Sequence, residues 1–320
     1  MDLHLLIDNL TNPALLFFFL GLFAVQLKSD LAIPENSSKF ISIYLLFSIG
    51  FKGGQELSHS EFDSEVWYAL AAGLLLAVSV PLYTFLVLKR KLSVENAGAI
   101  AASYGSVSAV TFITAISFLN VESMEYGGHM VAVMAFMEAP SIIVGMALIY
   151  FFAGKNNGIM SFGQILKHSI TNGSVLLILG SLLIGFISNE EQARGIEPFT
   201  TDIFKGFLAI FLLDMGIASG KGLATFFKNG WFTFWFAIII PLINGSLMAI
   251  LSGLFLDVDG NRFLLSILAA SASYIAVPAA MRMVVPKANP SLYIPMALAV
   301  TFPFNITLGM PIYLYIIQCC

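Results

Sequence analysis

The sequence is poor in charge. Of its 320 residues, 15 are Lys or Arg and 19 are Asp or Glu, 11 % in all, whereas a soluble domain carries about 25 %. A water-facing surface needs roughly a quarter to a third of its residues charged if it is to avoid large apolar patches, so this shortage excludes a soluble fold. Cysteine is scarcer still. Cys319 and Cys320 are adjacent, which leaves neither a disulfide framework nor a cysteine metal cluster. The longest basic run is Lys89-Arg90-Lys91 and the net charge is −4, so there is no electrostatic footprint for nucleic acid. Catalytic patterns are missing too. His4, His59, His129 and His168 are scattered, with no HExxH, no GxSxG and no phosphate-binding glycine loop. The expectation is a protein that is not an enzyme and uses no organic cofactor.

What is abundant is apolar: 58 % of residues are hydrophobic and 29 are Phe. A membrane helix needs about 20 mostly apolar residues. Ten such stretches lie between polar, Gly, Pro or Asn punctuation, over residues 11–27, 38–54, 65–88, 94–119, 126–153, 168–188, 202–220, 230–256, 262–285 and 291–317. The expected fold is an all-α polytopic membrane protein. Asp2 and Asp8, with no basic residue, precede the first stretch, which makes it a poor signal peptide and a retained span. Basic residues near span ends stay on the cytoplasmic side. With ten spans, Lys28, Lys39, Lys89, Arg90, Lys91, Lys155, Lys167, Lys221, Lys228, Arg282 and Lys287 fall on one side, and only Lys52, Arg194, Lys205 and Arg262 on the other. Both termini are therefore expected outside, in the periplasm of a bacterial inner membrane.

Five spans per half require any repeat to be inverted. Leu45-Leu46-Phe47-Ser48-Ile49-Gly50, followed by Gly54, aligns with Phe211-Leu212-Leu213-Asp214-Met215-Gly216, followed by Gly220. Ala102-Ser103-Tyr104 with Val107 and Ala109 matches Ala272-Ser273-Tyr274 with Val277 and Ala279, and Pro140 with Gly145-Met146 matches Pro303 with Gly309-Met310. The expected organisation is residues 1–153 as one five-helix repeat, 154–167 as a short cytoplasmic linker, and 168–320 as the second, inverted repeat.

Spans four and nine read as broken. Ser103-Tyr104-Gly105-Ser106-Val107-Ser108 puts a glycine and three serines where packing favours Leu or Ala. Pro278 cannot continue a helix through its middle but suits a helix's first turn. Continuous helices, kinked by serines bonding back to the preceding turn, are the alternative. Breaks at membrane depth must line protein or a polar cavity. Two half-helix N-termini meeting from opposite sides favour a small anion, and the unwound carbonyls suit a sodium ion. Glu138 and Asp214 lie inside spans five and seven, where an unpaired charge costs on the order of 3 kcal/mol. They are candidate cation ligands or proton carriers, or else structural hydrogen-bonding groups.

These segments resemble a known family. Pro286-Lys287-Ala288-Asn289-Pro290-Ser291-Leu292-Tyr293-Ile294, preceded by Ala270-Ser271-Ala272-Ser273 and Pro278, is similar to the matching stretch of the cyanobacterial sodium-dependent bicarbonate transporters, as are Tyr104-Gly105-Ser106-Val107-Ser108 and Phe136-Met137-Glu138-Ala139-Pro140. The resemblance implies a trimeric ten-span carrier that imports bicarbonate with sodium by moving a transport domain against a scaffold. It places the anion at Gly105, Ser106, Val107, Ser108, Ser273, Tyr274, Ile275 and Ala276, with Ser103, Glu138, Asp214, Ser271 and Thr301 as candidate sodium ligands. This chain departs from the family at Tyr274, which stands where the family carries an Asp, and Tyr104 and Tyr274 become a candidate pair of lids. A PII-like cytosolic regulator is a further implied partner, although the 154–167 linker is shorter than the family's polar loop. A carrier of another small anion, or a channel, is the alternative function.

Overall fold

The computed structural model describes residues 13–59, 63–153, 173–226 and 230–320, and among these every regular element is helical. The elements are α1 (Pro13–Gln26), α2 (Glu35–His59), α3 (Ser64–Leu88), α4 (Val94–Gly105), α5 (Ala109–Val121) and α6 (His129–Ala153), then α7 (Gly173–Ile187), α8 (Glu190–Glu197), α9 (Phe204–Phe226), α10 (Trp231–Leu251), α11 (Asp259–Ala270), α12 (Ala276–Val284) and α13 (Pro290–Cys319). Their starts follow from capping: the Asp63 carboxylate accepts the Val66 N–H at 3.2 Å to open α3, and Asn189 and Gln192 form a reciprocal capping box on α8.

Six segments are long and apolar enough to cross a bilayer: α3, α4 with α5, α6, Glu190–Gly222, Trp231–Leu254 and α13. The other expected spans differ in length or polarity. Helices α1 and α7 are apolar but have only 14 and 15 residues. Helix α2 has 25 residues but includes Glu35, Lys39, Lys52 and Glu56, and α11 and α12 are short because the chain breaks between them. The expected linker at 154–167 lies outside the described residues.

Packing divides the helices into groups. Helix α2 lies along α7, and α9 lies along α1. In the first pair a Cβ on Gly50 would strike Ile178 and Ser181, and one on Gly54 would strike the Leu182 carbonyl. In the second, Gly216 sits against the Phe18 carbonyl and Gly220 against Val25. Glycines one turn apart thus let two backbones approach in each pair, the role small residues play between membrane helices. Helices α3, α4 and α6 pack together as one group, and α10, α11 and α13 as another. In α13, Pro303 offers no backbone donor and lies between two π-helical stretches, Met296–Thr301 and Asn305–Gly309.

Two interruptions place the site. Helix α4 ends at Gly105 and α5 begins at Ala109; α11 ends at Ala270 and α12 begins at Ala276. The most apolar window of the α4–α5 segment is 100 % buried by other helices, so the non-helical backbone at its centre is sheltered from hydrocarbon.

Candidate functional site

Each interruption is built by serine. The Ser106 N–H still closes α4 onto the Ala102 carbonyl at 3.0 Å, after which its backbone turns extended, at φ −83° and ψ 174°. Ser108 opens α5 by accepting the Thr111 N–H on its hydroxyl oxygen at 3.1 Å. In the second interruption the Ser273 Oγ accepts the Val277 N–H at 3.3 Å, beside Pro278, which has no N–H to satisfy in the first turn of α12.

The two breaks are tied to each other. The Ser273 N–H donates to the Ser103 carbonyl at 2.7 Å, one of the acceptors that the end of α4 leaves open. In return the Ser108 N–H donates to Ser271 Oγ at 3.2 Å, and the Ser271 hydroxyl donates to the Leu268 carbonyl at 3.1 Å. The starts of α5 and α12 consequently share one narrow cavity of about 20 Å³, lined by Val107, Ser108, Ala109 and Val110 from the first break, by Ser273, Tyr274, Ile275 and Ala276 from the second, and by Glu138 of α6. Ser42, Leu45 and Leu46 of α2, Ile113 of α5 and Phe211 of α9 complete its wall. A space of this size holds about one water.

The hydrogen-bond inventory shows what the cavity can bind. Ser108 and Ser273 each spend their oxygen as an acceptor on a helix N-terminus, which leaves the hydroxyl hydrogen as a donor. Each N-terminus carries about half a positive charge and N–H groups without intrahelical partners. Together these favour an anion. Glu138 opposes it: the side chain is only 2 % exposed, and its Oε2 has no hydrogen-bond partner among the described residues. The cavity therefore joins a donor-rich face to one acidic group.

The structure brings together six of the eight expected anion-site residues, Val107, Ser108, Ser273, Tyr274, Ile275 and Ala276. Gly105 and Ser106 are not on the cavity wall. A Cβ at Gly105 would overlap the Pro81 ring and Ser141 Oγ, so glycine serves packing there. Of the five candidate sodium ligands only Glu138 lines the cavity. Ser103 donates to the Ala99 carbonyl at 3.0 Å, Ser271 is engaged as described, and Asp214 accepts a hydrogen bond from Ser38. Thr301 donates to the Ala237 carbonyl and pairs with the Tyr104 hydroxyl, both at 2.7 Å. Tyr104 packs edge-on against Phe236 and is not in the cavity wall, so it makes no lid with Tyr274, whose ring meets Phe302 edge-on at 5.9 Å.

Sequence reasoning missed Ala109, Val110 and Ile113 at the start of α5, and Ser42, Leu45, Leu46 and Phe211 on the facing helices. A signal was present for Leu45 and Phe211, which occupy the same first position in the aligned motifs of spans two and seven.

The sequence model of the Na+-dependent bicarbonate transporter superfamily matches residues 13–318. No curated protein matches the chain.

Proposed function

We propose that this chain, which belongs to the Na+-dependent bicarbonate transporter superfamily, imports bicarbonate together with sodium, and that the cavity between the starts of α5 and α12 is their site, widening from its one-water volume as the helices on either side of it move apart. The observation that carries the reading is Glu138, a buried carboxyl with an unpartnered oxygen, on the same cavity as two helix N-termini and two hydroxyl donors. An anion entering beside an ionised carboxylate meets repulsion of about 4 kcal/mol at 4 Å and an effective dielectric of about 20. A sodium ion between them offsets that repulsion and supplies a partner for Glu138. The anion is held more tightly with sodium present and, by linkage, sodium more tightly with the anion, and that mutual dependence is the physical content of symport. Bicarbonate suits the donor side, since its oxygens accept from Ser108, Ser273 and the first N–H groups of α5.

The packing groups support alternating access. Helices α3 to α6 with α10 to α13 act as the moving unit, and α1, α2, α7 and α9 as the scaffold, in an elevator-like mechanism. The matched positions Leu45 and Phe211, Gly50 and Gly216, and Gly54 and Gly220 support two inverted halves, each contributing one wall and one helix pair. The working unit in this reading is a homotrimer in a bacterial inner membrane, both termini periplasmic.

Uptake of labelled bicarbonate into proteoliposomes tests the proposal. Uptake driven by a sodium gradient and absent with potassium is expected. No uptake in either salt removes bicarbonate as the substrate, and equal uptake in both removes sodium coupling.

A further inference from the structure

A second cavity, of about 80 Å³, lies along the same crease between α2, α5 and α9. Leu45 and Leu46, Ile113 and Phe211 line the central cavity; Ile49, Ile116 and Phe204, one or two turns further along the same three helices, line this one. Ile49 and Ile116, both buried, stand about one helical turn, close to 5 Å, along their helices from Leu45 and Ile113 of the central cavity, and so form the partition through which an ion would pass. The polar wall of the second cavity includes Lys52, Glu56, Asn120, Tyr126, Thr201 and Lys205.

The lysines are unusual in their placement. On the side of the membrane expected to face outward the chain has four basic residues, Lys52, Arg194, Lys205 and Arg262. Arg262 binds Asp259 at 2.9 Å and Arg194 pairs with Glu190 at 3.5 Å. The remaining two line this one cavity. Among the described residues, two ammonium groups stand against one carboxyl, that of Glu56, which gives this part of the wall a positive balance. Burial pushes the Glu56 carboxyl above its usual range, against the pull of Lys52. The Asn120 amide and the Tyr126 and Thr201 hydroxyls add donors.

We propose that this cavity is an entry subsite for small oxyanions, where Lys52 and Lys205 gather the anion before it passes the Ile49 and Ile116 partition to the central site. That the anion is bicarbonate rests on the function proposed above; the attraction for negative charge does not.

Thiol modification measures the local potential directly. In a Cys319→Ser, Cys320→Ser background, Asn120→Cys places one reporter on the cavity wall, with Thr201→Cys as a second should the first not fold. We expect the ratio of rates for an anionic sulfonatoethyl and a cationic trimethylammonioethyl methanethiosulfonate to fall roughly five-fold when Lys52→Met and Lys205→Met are introduced together, as focused fields alter encounter rates by ten-fold or more. An unchanged ratio overturns the subsite. Uptake measured beside it separates the two proposals. If wild-type protein takes up no bicarbonate while the ratio still falls, the oxyanion subsite stands and the substrate reading fails. If wild-type uptake is normal, the double variant should raise KM for bicarbonate several-fold more than it lowers kcat, with the difference vanishing at high ionic strength; an unaltered KM at low salt overturns the role in entry.

Discussion

Ser108 and Ser273 show how one oxygen can serve the fold and the ligand together. Each accepts a backbone N–H that the start of a helix leaves open, a contribution of about 1 kcal/mol, and has its hydroxyl hydrogen left over as a donor, which at Ser108 the neighbouring Tyr274 hydroxyl can also take up. Both were legible in the sequence because small polar residues in mid-span are disfavoured without a reason. Thr301 is a candidate from the sequence too, yet its hydroxyl donates to the Ala237 carbonyl and pairs with Tyr104, a tertiary pairing that no local pattern reveals. Glu138 is the residue on which coupling turns. Glu138→Gln keeps the shape and removes the charge, so sodium should lose its purchase: we expect sodium-stimulated uptake to fall at least ten-fold, and the apparent bicarbonate affinity to become independent of sodium. Normal stimulation by sodium in this variant would move the coupling ion elsewhere. Purified variant and wild type should elute alike on size-exclusion chromatography, which separates lost coupling from lost folding.

At the level of elements, glycine does the positioning. Gly54 and Gly216 hold α2 on α7 and α9 on α1, and in both a Cβ would meet a backbone carbonyl of the facing helix, which has no rotamer by which to give way. The equal Gly-to-Gly spacing in the two motifs was visible in the sequence, but which helix each faces was not, because the partners lie well over 100 residues away or on another span. The breaks were legible from Gly, Ser and Pro, whereas the cavity's opposite wall of Ser42 and Phe211 comes from ordinary helical residues and emerges only when α2 and α9 lie against the breaks. Overpacking costs typically 1–3 kcal/mol. Gly54→Ala and Gly216→Ala are therefore each expected to lower the unfolding temperature of the detergent-solubilised protein by several degrees, and by similar amounts, as judged by intrinsic fluorescence. A large effect at one and none at the other would speak against equivalent roles for the two pairs.

Across the whole molecule, scarcity of charge has a functional side. Among the described residues no basic side chain lines the central cavity, so in the proposed function dipoles and hydroxyls hold the anion there and release it more readily than an arginine would. The lysines stand one step away, at the proposed entrance. That entrance faces the substrate supply only if α2 carries Lys52 on the outer side, which depends on the sign pattern of the span ends: eleven basic residues on one side against four on the other. The chain contains its own reporters for this. Cys319 and Cys320 are the only cysteines and both are exposed, close to the last turn of α13. In spheroplasts expressing the wild-type chain, a membrane-impermeant maleimide should label them without permeabilisation, and prior exposure to an impermeant thiol reagent should abolish that labelling. Labelling seen only after permeabilisation would put the end of α13 inside the cell. The Lys52 and Lys205 cavity would then open toward the cytoplasm, and the same two charges would draw the anion out of the site rather than into it.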